Sequence, residues 1–174
     1  MKKNSIATLL VLVISSFALF AVVPTTSDTF DVSTVIQGVN VIKIAEDTAA
    51  DVAGFQNATD LSSYEMSTAD TLTDTPIGYV LTKTNNRDGY VLKLRATQLT
   101  NGTISPINYT VQVGSAQYTT AATPPASVEI VNRDGVEQMV VDSYSINVQL
   151  NASDAANATQ ATYNGTVYVE YYAQ

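Results

Sequence analysis

The 174-residue chain has no cysteine, no histidine and no tryptophan, and only eight lysines and arginines between them. Each absence removes a class of function. Without cysteine there is no disulfide, thiol nucleophile, cysteine-based zinc site or lipid-bearing N-terminal Cys. Without histidine the commonest general base and the commonest metal ligand are gone. No serine stands three residues before a lysine in the Ser-x-x-Lys spacing of a serine nucleophile. With few basic residues the formal net charge is −8 at pH 7. Such a surface repels nucleic acid and anionic headgroups, so no nucleic-acid partner is expected.

Acidic residues are present but poorly placed for chemistry. Asp60, Asp70 and Asp74 lie in a Thr- and Ala-rich stretch that reads as solvated surface, and Glu46, Asp47 and Asp51 lack the spacing and glycine of an EF-hand. No catalytic residue, metal site or cofactor is expected. The expectation is a protein that is not an enzyme.

The chain opens with Lys2 and Lys3, an apolar run from Ile6 to Val23, and then small and polar residues. That order is the pattern of a secretory signal peptide, with small residues suited to cleavage at Ala18 or Ala21. The expected division is a leader over 1–21, an extension over 22–37 and one domain over 38–174. Export and an extracellular location follow from it, with no membrane contact after cleavage. The mature chain is long enough for a single sizeable core.

Beyond the leader, apolar residues recur at every second position, the period of a half-buried strand. "GYVLTKT" (78–84), "GYVLKLRAT" (89–97), "INYTVQV" (107–113), "ASVEIV" (126–131), "VEQMVV" (136–141) and "YSINVQL" (144–150) read as strands. So does the end, "GTVYVEYYAQ", with Val167, Val169 and Tyr171 on one face and Tyr168, Glu170 and Tyr172 on the other. Strands at this spacing, broken by Gly, Pro and Asn, predict an all-β, immunoglobulin-like antiparallel sandwich. The segment 46–76 reads as a long loop or short helical excursion.

"NRDG" occurs twice, at 86–89 and 132–135. Its Arg-Asp-Gly exchanges the last two residues of an Arg-Gly-Asp adhesion motif, and its Asn, Asp and Gly tolerate positive φ, so it reads as two hairpin turns. Asn-x-Ser/Thr is more frequent than background: Asn57, Asn101, Asn108, Asn151, Asn157 and Asn164, six of twelve asparagines, are acceptor-type positions for N-glycosylation.

The stretch "TFDVSTVIQGVNVIKI" places an alternating strand directly after the leader and before any partner strand, and the chain closes on "ATYNGTVYVEYYAQ". In this layout the chain resembles the cysteine-free major pilins of class 5 (alpha-type) chaperone–usher fimbriae. In that family an alternating N-terminal segment precedes a hydrophobic first strand, and a Tyr-x-Gly-x-Val strand lies near the C-terminus. Phe30, Val32, Thr34 and Ile36 fall where the family's donor-strand residues fall, Gly38 where a bend follows, and Tyr163, Gly165 and Val167 match the closing motif. The segment 46–76 has no counterpart in it.

The resemblance implies a sandwich that is incomplete and is completed by a donor strand from a neighbouring subunit. It also implies an acceptor groove formed by Val39, Val41, Val167, Val169 and Tyr171. The implied function is a structural subunit of an extracellular fimbria, serving surface adhesion. The implied partners are identical subunits in a head-to-tail filament, with a periplasmic chaperone and outer-membrane usher if the source is bacterial. Two other readings remain open on the residues alone: a glycosylated archaeal surface filament subunit, and a monomeric secreted module binding carbohydrate or calcium.

Overall fold

The computed structural model describes residues 33, 34, 36–102 and 105–174. The chain divides after Ile36. Of the first unit only Ser33, Thr34 and Ile36 are described, all three exposed. Phe30 and Val32 lie outside the described residues.

The second unit, Gln37–Gln174, is an all-β sandwich of two antiparallel sheets. Its strands are β1 (Asn40–Ala45), β2 (Gly78–Thr84), β3 (Tyr90–Ala96), β4 (Tyr109–Val113), β5 (Ala116–Thr119), β6 (Val128–Arg133), β7 (Val140–Leu150) and β8 (Val167–Ala173). One sheet has the order β1-β2-β7-β4-β5, the other β6-β3-β8. Alternation explains the layers: in β3, Tyr90, Leu92, Leu94 and Ala96 are buried, while the residues between them are half-buried or exposed. They meet Val80 of β2, Tyr109, Val111 and Val113 of β4, and Ile146 and Val148 of β7 in one core.

The neighbours follow an immunoglobulin plan, in which strands A, B, E and D form one sheet and C, F and G the other. Here β1, β2, β7 and β4 take the places of A, B, E and D, and β3 and β8 those of C and F. No described strand takes the place of G beside β8. One departure is β6, which pairs with β3 but follows β4 in the chain.

Both "NRDG" segments are inter-sheet corners, which corrects the reading of two hairpins. β2 and β3 lie in different sheets, and so do β6 and β7. The corners pack against each other: Val136 N–H donates to Asn86 C=O, and a Cβ on Gly135 would stand 1.6 Å from Arg87 O. Gly89, at φ +92°, is equally enclosed, with Arg133 O 2.1 Å from where its Cβ would be. The repeated glycines are what lets the two turns touch. The hairpin the chain does make is β4–β5, closed by Gly114 at φ +58° and Ser115.

β7 runs unbroken through Asp142 and Ser143, where alternation divides 136–150 into two strands. Asp142 is tolerated because Arg133 Nε lies 3.2 Å away and Tyr90 donates to it at 3.0 Å. The segment 46–76 contains α1 (Val52–Asn57), capped by the Asp51 carboxylate on Gly54 N–H. Phe55, Ala49 and Ala58 cover the outer face of the larger sheet over Ala45 and Leu81. A second short helix, α2 (Ala152–Asn157), is capped by Asn151 and follows β7.

The registers place β1, β3 and β7 starts and β2, β6 and β8 ends together, with both corners, at one end of the sandwich. We call this the corner end. The opposite end carries the 97–108 connection, α2 and residues 158–166.

Candidate functional site

β8 is an edge strand, bonded to β3 and to no other described strand. Its register and the flanking bonds Thr97 N–H to Thr166 O and Gln174 N–H to Gly89 O show which groups are used. In an antiparallel pair, both backbone groups of a residue point to the same side, and successive residues alternate. The groups of Tyr168, Glu170 and Tyr172 therefore face β3, and those of Val167, Val169 and Tyr171 face the open side. The same argument applies to β1. Asn85 N–H donates to Val39 O, so Val41, Lys43 and Ala45 face β2, and Asn40, Ile42 and Ile44 face outward.

Beside these two edges lies a cavity of about 390 Å³. Its walls include Ile44 of β1, Ile77, Tyr109 of β4, Ile146 and Val148 of β7, and Val167 and Val169 of β8. It is large beside the roughly 30 Å³ that a water occupies in the liquid, and its walls are mainly apolar. Burial pushes the Tyr109 phenol up to about 12, with Tyr118 nearby adding to the shift, so this wall is uncharged through the neutral range.

Each end of the cleft is distinct. At the corner end Tyr171 closes it: its ring stacks on Tyr90 at 4.9 Å, and its hydroxyl donates to Asn40 Oδ1 at 2.9 Å. At the other end Tyr163–Thr166 form the rim. The rim is tight at Gly165, where a Cβ would stand 3.0 Å from Thr97 O and 3.1 Å from Gln98 O. Along the β1 side, Leu61 N–H donates to Ile44 O and Glu46 N–H to Thr59 O, so residues 59–61 pair with the last part of β1's free edge. Residues 61–64 and Met66 then line the cleft. Among the described residues, no backbone hydrogen bond ties 62–66 to β1 or β8.

Of the residues the resemblance places in an acceptor groove, Val167 and Val169 line this cleft, and Tyr171 stands next to it towards the corner end without lining it. Val41 does not. It pairs with Lys83 on the outer face and is 39 % exposed, because the inward positions of β1 are Ile42 and Ile44. Val39 precedes β1 and is half-buried, with its N–H held by Asn85 Oδ1 at 2.6 Å. Asn85 Nδ2 also donates to Gln37 O, so the three residues before β1, Gln37–Val39, are pinned to the corner end. The wall residues contributed by Ile77, Tyr109 and Leu61–Met66 are not legible from strand alternation. Leu61 and Met66 do stand as isolated apolar residues in an otherwise polar segment.

Of the donor-segment residues, Thr34 and Ile36 are exposed, Ile36 at 81 %. The outer face of β8 is a paired surface: Arg95 lies over the Tyr168 ring at 3.8 Å and bonds Glu170 at 2.9 Å. That bond, and a second from Tyr172, hold the Glu170 carboxyl below the usual carboxylate range. The aromatic residues of β8 are thus divided between core and surface. Among the described residues no three acidic side chains gather around a metal-sized site.

No family model, curated protein or solved structure matches this chain.

Proposed function

We propose that this chain is an exported structural subunit of a cell-surface filament, joined by strand donation. Residues 30–36 of one copy fill the cleft beside β8 of the next. The observation that carries this reading is the unpaired side of β8, where Val167 and Val169 line an apolar cleft in the place of strand G and the backbone groups of Val167, Val169 and Tyr171 face outward. An open edge of this kind invites another strand, since it offers backbone partners and apolar pockets together.

The donor segment fits the occupant required. Its residues Phe30, Val32, Thr34 and Ile36 alternate, and Ile36 is 81 % exposed in the single chain. Burial of Phe30, Val32 and Ile36 contributes on the order of 5–8 kcal/mol before the cost of association. Direction also agrees. Gln37–Val39 leave the domain at the corner end, while β8 runs towards that end from the Tyr163–Thr166 rim. A copy stacked with its corner end on the next copy's rim sends its segment in antiparallel to β8. That contact uses two different surfaces, so it propagates as a filament and does not close as a dimer.

Deletion of residues 22–37 tests the reading. The truncated domain should remain monomeric by size-exclusion chromatography and regain a partner strand when a peptide of residues 27–38 is added. Fibres formed by the truncated domain would contradict the proposal.

A further inference from the structure

Nine of the domain's eleven asparagines divide between the two ends, the others being Asn57 at the end of α1 and Asn147 within β7. At the corner end stand Asn40, Asn85, Asn86 and Asn132, none followed by the Ser or Thr of an acceptor sequence, and each side chain makes a structural hydrogen bond. At the opposite end stand Asn101, Asn108, Asn151, Asn157 and Asn164, and every one has that Ser or Thr. They come from three separate stretches of chain and are brought together by the fold: Thr100 pairs with Asn164, and Asn151 N–H donates to Asn108 O.

These positions differ chemically. A glycan acceptor must present its carboxamide nitrogen to solvent. Asn164 is exposed at the cleft rim and Asn57 at the end of α1, and neither side chain has a hydrogen-bond partner among the described residues. Asn151 is exposed and uses only its oxygen, which accepts from Ser153 N–H, Asp154 N–H and the Ser153 hydroxyl at 2.7 Å. Its nitrogen is left outward, with the sequon hydroxyl already folded onto the amide. Asn108 is the opposite case. It is half-buried, its Nδ2 donates to Asp154 at 2.8 Å, and its Oδ1 accepts from Gln98.

We propose that Asn57 and Asn151 carry N-linked glycans and that Asn108 does not; Asn164 stands on the cleft rim that the corner end of a stacked copy covers, so it too stays bare. The donor is a sugar linked to a polyprenyl phosphate, transferred by a membrane glycosyltransferase that meets the chain during export. The asparagine nitrogen attacks the anomeric carbon, and a carbon–nitrogen bond forms. The sugar–oxygen bond to phosphate breaks with its electron pair on the lipid phosphate, and the amide proton passes to a base. Nothing is oxidised or reduced. One sugar chain then stands at the end of α1 and one on the α2 cap, while the corner end and the cleft rim stay bare.

The test is peptide mapping by mass spectrometry of the chain purified from the cells that make it. Sugar-bearing peptides are expected at these two asparagines, with the Asn108 and Asn164 peptides unmodified. Asn57→Gln and Asn151→Gln should each remove one sugar increment from the intact mass. Asn108→Gln should leave that mass pattern unchanged and lower the thermal midpoint by a few degrees. A bare chain, or a sugar on Asn108, overturns the proposal. The result at Asn57, Asn108 and Asn151 is independent of strand donation, since a monomer could carry the same sugars. The bare Asn164 rests on the stacking proposed above, and a sugar there would contradict that stacking alone.

Discussion

The two long edges of the sandwich are built from similar strands and finished in opposite ways. At the β5–β6 edge the chain passes from one sheet to the other through 120–127. The Tyr118 hydroxyl bonds Pro125 O at 3.0 Å, and Tyr118 and Ile130 are buried. At the β1–β8 edge Tyr171 crosses between the sheets at the corner end, and beyond it lies the cleft. Both edges have inward apolar residues. What differs among the described residues is how much backbone covers them: 120–127 joins the sheets at one edge, while at the other only 59–61 pair, with the end of β1, so the open edge is a matter of connectivity and not of composition.

The largest expected effect is at the closed edge. Tyr118→Ala removes a side chain that is only 2 % exposed and leaves Pro125 O without its partner. Truncating a buried aromatic of this size costs about 3–5 kcal/mol. Val169→Ala, at the half-buried open edge, should cost less than half as much. Thermal or denaturant unfolding of the two variants measures the contrast, and equal losses would show that the two edges are equally packed.

Ile36→Asp comes next. It places a carboxylate where an apolar pocket is expected, which must be neutralised or left at a cost of several kcal/mol. Filament yield should collapse while the melting of the single domain is unchanged. Ser33→Asp, on the other face of the donor segment, should assemble. Electron microscopy with quantified yield compares them, and similar losses for both would argue against alternation into a cleft.

Strand positions are largely legible, because burial in "YVLKLRA" and "YTVQV" alternates strictly and each of these strands has one buried face. Sheet membership is not. A turn of Asn, Asp and Gly serves a hairpin or a corner equally well, and the choice at Gly89 and Gly135 rests on two turns 46 residues apart packing on each other. β1 was misread for another reason. In "NVIKIA" apolar residues fall on both faces, and the parity is decided by α1, which packs on Ala45 and Leu81 and makes that the outer face. The same non-local cause hid the cleft's far wall. Tyr109 and Leu61–Met66 reach it from the opposite sheet and from the 46–76 segment, and no local pattern joins them.

The central claim is that an incoming strand bonds the free side of β8. Amide hydrogen exchange on the domain lacking residues 22–37, with and without a peptide of residues 27–38, reads this residue by residue. The account predicts slowed exchange at Val167, Val169 and Tyr171, and little change at Tyr168, Glu170 and Tyr172, which already face β3. Peptide-induced protection confined to β5 and β6, or absent from the three free amides of β8, would contradict it.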